Sequence, residues 1–538
     1  MERKWWHDKV VYQIYPKSFA DANNDGIGDI PGIIGKLDYL KDLGVDLLWL
    51  TPCFASPMKD NGYDVSDYRA INPLFGTMDG MHRLIDEAKK RGIGIMLDIV
   101  PNHTSDQHAW FQSALQGKDS PYRDYYIFRD EPKPDIASVF GGSAWEYEPK
   151  SGQYYLHQFA VGQPDLNTAN PKVRQELIDI INFWLDQGVA GFRFDVIHLI
   201  GKEVDRGIFG YGPRLHEYVK QIHDASFGPK QAVTVGEAWG DLSNAIDFTA
   251  PSRGELDMVF QFEVTTLSWS QGPLGKFQYH KPDMDQFKFL FAKYQNGLND
   301  VGWNSLFLEN HDSGRLVNVY GDLAYRQDCA KAIATALYLQ KGTPFIYQGQ
   351  EIGLPNTKMA LEDYDDVEIF GKYKDAMDEG LCSKEEFMEG VYQNGRDNAR
   401  IPIPWDDSVN GGFNVGAKTW LKVHPDYQTI NVKQQECDPD SVLNYYKALL
   451  KLRKGQYKDL FVYGDFALIY PEIHNLFAYQ RIYGGQTLYV MANLGREPVT
   501  VPLQAKVKES LLQNTKKNHL GQSLLELAPY EAIVFTLE

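Results

Sequence analysis

The chain has 538 residues, of which 43% are hydrophobic, 13% aromatic and 23% charged. This is globular composition with ample material for a core, and it excludes a disordered or fibrous protein. Lys and Arg number 54 against 72 Asp and Glu, a formal charge of −18, so phosphate backbones and anionic lipid are poor partners.

The N-terminus, Met1 to Lys9, is charged, and the apolar stretch behind it stops at Tyr15-Pro16 with no small-residue cleavage site. That argues against a secretory signal. Strand-like and helix-like segments then alternate. Val10–Tyr15 is a β-branched and aromatic run. Ile30, Ile33, Ile34, Leu37, Leu40 and Leu43 recur at helical spacing up to Gly44. Val45–Leu50 reads as a buried strand. Met81, Leu84, Ile85 and Ala88 line a helical face stopped by Gly92, and Ile93–Val100 is a strand again. Asn170 and Pro171 read as N-cap and first residue of a helix carrying Val173, Leu177, Ile180, Ile181 and Trp184. Gly191–Asp195, Ala232–Gly236, Met258–Gln261, Trp303–Leu308 and Pro344–Gln348 complete eight strand candidates.

Repeated βα units imply a parallel sheet, and eight of them an α/β fold of the closed (β/α)8 TIM-barrel kind. Two stretches break the rhythm. Residues 103–170 are too long for a βα loop and rich in Tyr, Gly, Pro and Asp, which reads as an inserted loop-rich domain after strand 3. Leu354–Asp440 is an irregular polar excursion after the eighth strand. From about residue 461 the pattern turns to strand alternation, and Gly484-Gly485 marks a hairpin. The expected organisation is a barrel over 1–102 and 171–460, the insertion at 103–170, and an all-β domain at 461–538. No apolar run approaches the roughly 18–20 residues of a spanning helix, so no membrane partner is expected. Cys53, Cys329, Cys382 and Cys437 are far apart without CxxC spacing, which fits a reducing cytoplasm.

Barrel active sites sit at the C-terminal ends of strands. Asp195 ends Gly191-Phe192-Arg193-Phe194-Asp195, Glu237 ends Thr234-Val235-Gly236-Glu237, and Asp312 follows Glu309-Asn310-His311. Each alone reads as a cap or surface group. Three on one rim meet the need of glycosidic cleavage for carboxylates with different pKa values. Arg193 projects to the same strand face as Asp195.

Four segments, Asp98–His103, Gly191–Asp195, Gly236-Glu237 and Glu309–Asp312, resemble in order the signature regions of glycoside hydrolase family 13, the α-amylase family. Trp5-Trp6, Val11–Phe19, Phe140–Trp145, Gln163–Asn167 and Gly395–Arg400 look like its oligo-1,6-glucosidase and dextran glucosidase group. The resemblance implies roles. Asp195 matches the nucleophile, Glu237 the general acid and base, and Asp312 the third carboxylate. His103 and His311 match hydroxyl-binding histidines, and Gln163 and Arg193 fall among the substrate-site positions. Asp60 and Arg400 match a pair that binds the terminal glucose, with Tyr63 stacking on it. Val196 accompanies α-1,6 preference in such enzymes, where Thr or Ala accompanies α-1,4. Trp239 offers a stacking face to the leaving sugar.

Asp21, Asn23, Asp25, Gly26 and Asp29 follow an EF-hand spacing, with Gly32 where the loop's final Glu would stand. The resemblance implies a structural Ca²⁺ held by Asp21, Asn23, Asp25, Asp29 and the Ile27 carbonyl; the alternative is an ordinary turn. Thr168, Ser313-Gly314 and His198 depart from the family pattern on the leaving-group side, which puts chain-length preference in doubt. The implied activity is retaining exo-hydrolysis of α-1,6-linked gluco-oligosaccharides by a monomer with no redox or organic cofactor. The rivals are a maltase, a trehalose-6-phosphate hydrolase, a sucrose isomerase and, outside catalysis, a transporter-associated homologue.

Overall fold

The computed structural model describes residues 2–538. Eight parallel strands form the central sheet: β1 Val11–Ile14, β2 Leu47–Leu50, β3 Gly94–Ile99, β4 Gly191–Phe194, β5 Val233–Gly236, β6 Met258–Val259, β7 Ser305–Leu306 and β8 Thr343–Tyr347. Their order is β6-β5-β4-β3-β2-β1-β8-β7. Neighbours pair in register, with Val11 opposite both Leu47 and Phe345, and Met96 opposite Gly191. The nearly closed barrel is bridged at its β6–β7 seam by a side chain, because the Ser305 hydroxyl donates to the Val259 carbonyl at 2.8 Å. The strands are buried on both faces, which is why they read as continuous apolar runs and not as alternation. Gly191 is required for close approach, since a Cβ there would lie 2.2 Å from the Val233 carbonyl oxygen.

The helix expected across residues 30–43 is two helices, Ile30–Gly35 and Leu37–Leu43, broken at Lys36. Two glycines weaken the first helix. Gly32 lies flush on Ala20, where a Cβ would meet the carbonyl oxygen at 2.0 Å, so the first helix follows that contact and the second follows the barrel wall. The Asn170 cap forms as expected: its side chain accepts from the Lys172 N–H at 2.9 Å and opens the helix Pro171–Asp186.

The stretch after β3 contains a small antiparallel sheet of Phe128–Arg129, Gln153–Leu156 and Trp145–Glu148. The stretch after β8 is more regular than its composition suggests, with helices Val367–Asp378 and Lys384–Asn394. Asp366 caps the first, and Ser383 with Glu386 forms a capping box on the second. Both pack on Phe277 through Ile369, Phe387 and Val391.

Seven further strands follow: β9 Asp465–Ile469, β10 Leu476–Tyr483, β11 Gln486–Asn493, β12 Val499–Pro502, β13 Val507–Gln513, β14 Leu524–Leu527 and β15 Ala532–Leu537. They form a five-stranded antiparallel sheet, β9-β10-β11-β15-β13, and a β12–β14 pair. Gly484 and Gly485 turn the β10–β11 hairpin at φ +57° and +78°, values that admit glycine without strain. Among the described residues no helix is long and apolar enough to cross a membrane.

Candidate active site

Asp195 and Glu237 directly follow β4 and β5, so both carboxylates stand on the C-terminal rim. A single guanidinium holds them. Arg193 donates through Nη1 to Asp195 Oδ1 at 2.7 Å and to Asp98 Oδ1 at 2.8 Å, and through Nη2 to Glu237 Oε2. The indole N–H of Trp239 donates to the other Glu237 oxygen at 2.7 Å. Burial, then the neighbouring Glu237 and Asp98 charges, push Asp195 well above the ordinary Asp range, against the pull of Arg193. Asp98 is pushed up to about 6 by burial, with Arg193 opposing.

Tyr63 and His311 stack with ring centroids 5.3 Å apart, and the Tyr63 hydroxyl lies 2.6 Å from His311 Nε2 and donates to Asp98 at 3.1 Å. Gln13 meets the other ring nitrogen at 2.8 Å. Burial and the flanking arginines push His311 down to about 3, and burial pushes His103 down to about 4, so both rings are neutral. Despite its own burial, Asp312 is held below the ordinary range by His311, Arg396 and Arg400.

The expected Asp60–Arg400 pair is not what forms. Arg400 donates to Asp312 at 2.7 Å and to the His311 carbonyl at 2.8 Å. The cation nearest Asp60 is Arg396, at 3.6 Å. Arg400 spends Nε and Nη2 on the strand-7 loop and leaves Nη1 without a partner, while the arginine four residues earlier lies nearest Asp60. Arg396 also grips Asp366 through Nε at 3.0 Å, reaches Glu368 at 3.3 Å and Asp312 at 3.5 Å, and lies over the Phe140 ring. Gln163 donates to Asp60 at 3.0 Å. Burial pushes Asp60 up to about 7, against Arg396 and Arg400.

These groups surround one cavity of about 410 Å³. Of the residues singled out in the sequence, Asp60, Tyr63, His103, Asp195, Val196, Glu237, Trp239 and Asp312 line it, while Gln163, Arg193, His311 and Arg400 support the wall from behind. The sequence reasoning passed over Phe140, Phe159, Phe262, Trp269, Lys276, Glu368 and Arg396, which also line it. Phe140 and Arg396 lie inside segments that carried the family resemblance. Lys276 lies on a short turn and Glu368 in the first turn of the helix Val367–Asp378, both away from any barrel strand that would point to them, and they pair at 2.5 Å. Val196 sits at φ +33°, an unusual backbone for a β-branched residue, immediately after Asp195.

The Asp21–Asp29 loop offers only oxygen donors, which suits a hard cation. Its carboxylates also serve the loop itself. Asp21 accepts from the Asn24 N–H at 2.6 Å and the Gly26 N–H at 2.8 Å, and Asp29 caps the next helix through the Gly32 N–H at 2.7 Å. Among the described residues no cluster of three or more His, Cys, Asp or Glu has metal-binding geometry.

A parallel eight-stranded barrel with carboxylates converging on its C-terminal rim over an aromatic-walled pocket defines a barrel enzyme of the glycoside hydrolase class. The chain matches the alpha-amylase catalytic domain over residues 13–464 and the alpha-amylase SusG C-terminal domain over 476–534. It belongs to the α-amylase family. It is 47% identical to a glucan 1,6-alpha-glucosidase of Streptococcus pneumoniae, the match covering 100% of both chains. It is 46% identical to an oligo-1,6-glucosidase of Heyndrickxia coagulans, over 99% of this chain and 100% of that one. Its structure superposes on an isomaltulose synthase of a Klebsiella species with a TM-score of 0.96, at 39% identity and full coverage of both chains.

Proposed function

We propose that the protein is a retaining exo-acting α-glucosidase that removes glucose from the non-reducing ends of α-1,6-linked gluco-oligosaccharides. The observation that carries this reading is the Arg193 fork, which holds Asp195 and Glu237 together across the cavity floor. Retaining hydrolysis needs its two carboxyl groups about 5–5.5 Å apart. In the reaction, Glu237 protonates the glycosidic oxygen while Asp195 attacks the anomeric carbon and forms a β-glucosyl ester. Glu237 then takes a proton from water, which hydrolyses the ester with net retention. Asp312, His103 and His311 hold sugar hydroxyls. Tyr63 stacks on the terminal glucose, and Asp60, now with Arg396 as its cation, closes the pocket end. Trp239 and Val196 face the leaving sugar.

The relatives named above support the α-1,6 assignment. The isomaltulose synthase likeness supports a second reading, a sucrose isomerase, in which the released sugar is recaptured by the glucosyl ester. A phosphorylated substrate is disfavoured because the two cations of the cavity wall, Lys276 and Arg396, are already paired with carboxylates. Product analysis on isomaltose, maltose, isomaltotriose, sucrose and trehalose 6-phosphate tests the reading. Turnover of sucrose to an isomer in preference to hydrolysis of isomaltose would replace it. The same proposal includes a structural Ca²⁺ on the Asp21–Asp29 loop, and a monomer in a reducing cytoplasm, in keeping with four free cysteines.

A further inference from the structure

One buried charge near the cavity takes no part in the proposed reaction. Lys202 is 6% exposed, and its ammonium meets Asp165 Oδ2 at 3.1 Å and Asn102 Oδ1 at 2.5 Å. Asp165 supplies the countercharge that a buried ammonium requires. The Asn102 contact does something else. An ammonium only donates, so it fixes which end of the Asn102 amide is oxygen. The amide nitrogen is thereby aimed at His103 Nδ1, 3.1 Å away. That nitrogen donates, so Nδ1 must accept, and the single proton of a neutral imidazole is left on Nε2.

The far side of the ring is fixed in the same way. Gln163 Oε1 accepts from the Ala160 N–H at 2.9 Å, so its amide nitrogen faces Asp60 at 3.0 Å and lies 3.2 Å from His103 Nε2. His103 Nε2–H and the Gln163 amide are then two donors that cannot satisfy each other. The amide has Asp60 as its acceptor, and the ring, which also meets the Tyr63 backbone, has its Nε2–H at the cavity wall, where a sugar hydroxyl oxygen can accept from it.

We infer that Lys202 is a positioning residue which, through Asn102, selects the Nε2–H tautomer of His103 so that the ring donates to the sugar. The inference rests on the hydroxyl-binding role proposed for His103, but its main readout needs no substrate. A competing role, in which Lys202 only ties the inserted segment to the barrel through Asp165, leaves the tautomer free.

The test is the ¹⁵N spectrum of the histidine-labelled full chain near neutral pH, with His103 assigned by its loss in His103→Gln. The expected state of the wild type is Nε2–H. Asn102→Asp keeps an ion pair to Lys202 but offers the ring only an acceptor, so the expected state is Nδ1–H. Its kcat/KM on isomaltose should fall about tenfold, the scale of one neutral hydrogen bond. Lys202→Met should show both tautomers; should it not fold, the first two spectra decide. Nδ1–H in the wild type, or an unchanged tautomer in Asn102→Asp, overturns the inference. A tautomer switch in a chain inactive on isomaltose would refute the proposed substrate and leave the positioning role standing.

Discussion

Arg396→Gln is the most informative single change, because four carboxylates share that guanidinium. Arg396 brings Asp366 down to about 2. Against an ordinary Asp near 3.9, that is roughly 2–3 kcal/mol of stability, at about 1.36 kcal/mol per pKa unit. This contribution is present above about pH 4 and is lost as pH falls through about 2. Asp60 has the opposite sign. Its pKa of about 7 means that the folded chain keeps its proton below that pH, and ionisation penalises the fold as pH rises toward 7. Removing Arg396 deletes the Asp366 contribution and raises Asp60 further. At about pH 7.5 the variant should lose roughly 3–5 kcal/mol, the usual cost of breaking a buried pair. At about pH 5 the freed carboxyls hold protons, so the deficit relative to wild type should shrink by roughly 1.4 kcal/mol per pH unit for each carboxyl still titrating. Thermal unfolding followed by circular dichroism at the two pH values reads both effects, and kcat/KM on isomaltose should fall severely with the clamp. An equal deficit at both pH values, or none, would refute the assignment of Arg396 as the shared counter-ion.

Asp195→Asn should cut turnover by at least about 10³-fold with the melting temperature little changed, and near-normal activity would remove Asp195 as nucleophile. In the wild type, NMR of early product should show α-glucose first; β-glucose first would sink the retaining mechanism. The acid limb of kcat/KM should lie above the ordinary Asp range, because Asp195 must be ionised to attack and its pKa is raised; a limb at or below that range would separate the limb from Asp195. Val196→Thr keeps the branched side chain at the strained φ and adds one hydroxyl, so the isomaltose-to-maltose ratio of kcat/KM should move toward maltose by about tenfold, within the span one group supplies. An unchanged ratio would move the search to the loops after β8. A chelator should lower the melting temperature modestly, restored by Ca²⁺, if the Asp21–Asp29 loop holds the ion; identical curves with and without chelator would leave that loop an ordinary turn.

The barrel was legible because most strands are apolar runs closed by Gly, Asp or Pro, and the helices between them repeat at 3.6 residues. What escaped was set by tertiary contact. Lys36 ends a helix because Gly32 must lie on Ala20; Gly32 and Gly35 mark the segment as weak, but the apolar spacing runs through them unbroken. The helices Val367–Asp378 and Lys384–Asn394 carried readable caps at Asp366 and Ser383, but their apolar positions meet Phe277 of a distant loop, so the segment read as polar. The choice between Arg396 and Arg400 was open for a related reason. Residues four apart occupy one face of a turn. Which of them reaches Asp60 depends on the His311 carbonyl and on Asp312, which claim Arg400 first.

The charge balance around the cavity ties the site to the proposed chemistry. Asp60, Asp98, Asp195, Glu237, Asp312, Asp366 and Glu368 stand against Arg193, Lys276, Arg396 and Arg400, an excess of carboxylates in a buried space. Burial is what raises Asp60, Asp98 and Asp195 even beside arginines, and at Asp195 the excess adds to it through Glu237 and Asp98. The excess is unfavourable for the empty fold and hostile to an anionic ligand. A neutral sugar adds no charge in the ground state, but glycosidic cleavage develops positive charge at the anomeric carbon and ring oxygen. The carboxylates ionised beside that carbon, Asp195 and Asp312, therefore stabilise the transition state more than the bound substrate, which is the condition for raising turnover instead of merely tightening binding. On that reasoning Arg193 pulls Asp195 back toward its ionised form, Arg396 and Arg400 keep Asp312 ionised, and any substitution that adds a cation to the wall should cost kcat more than KM.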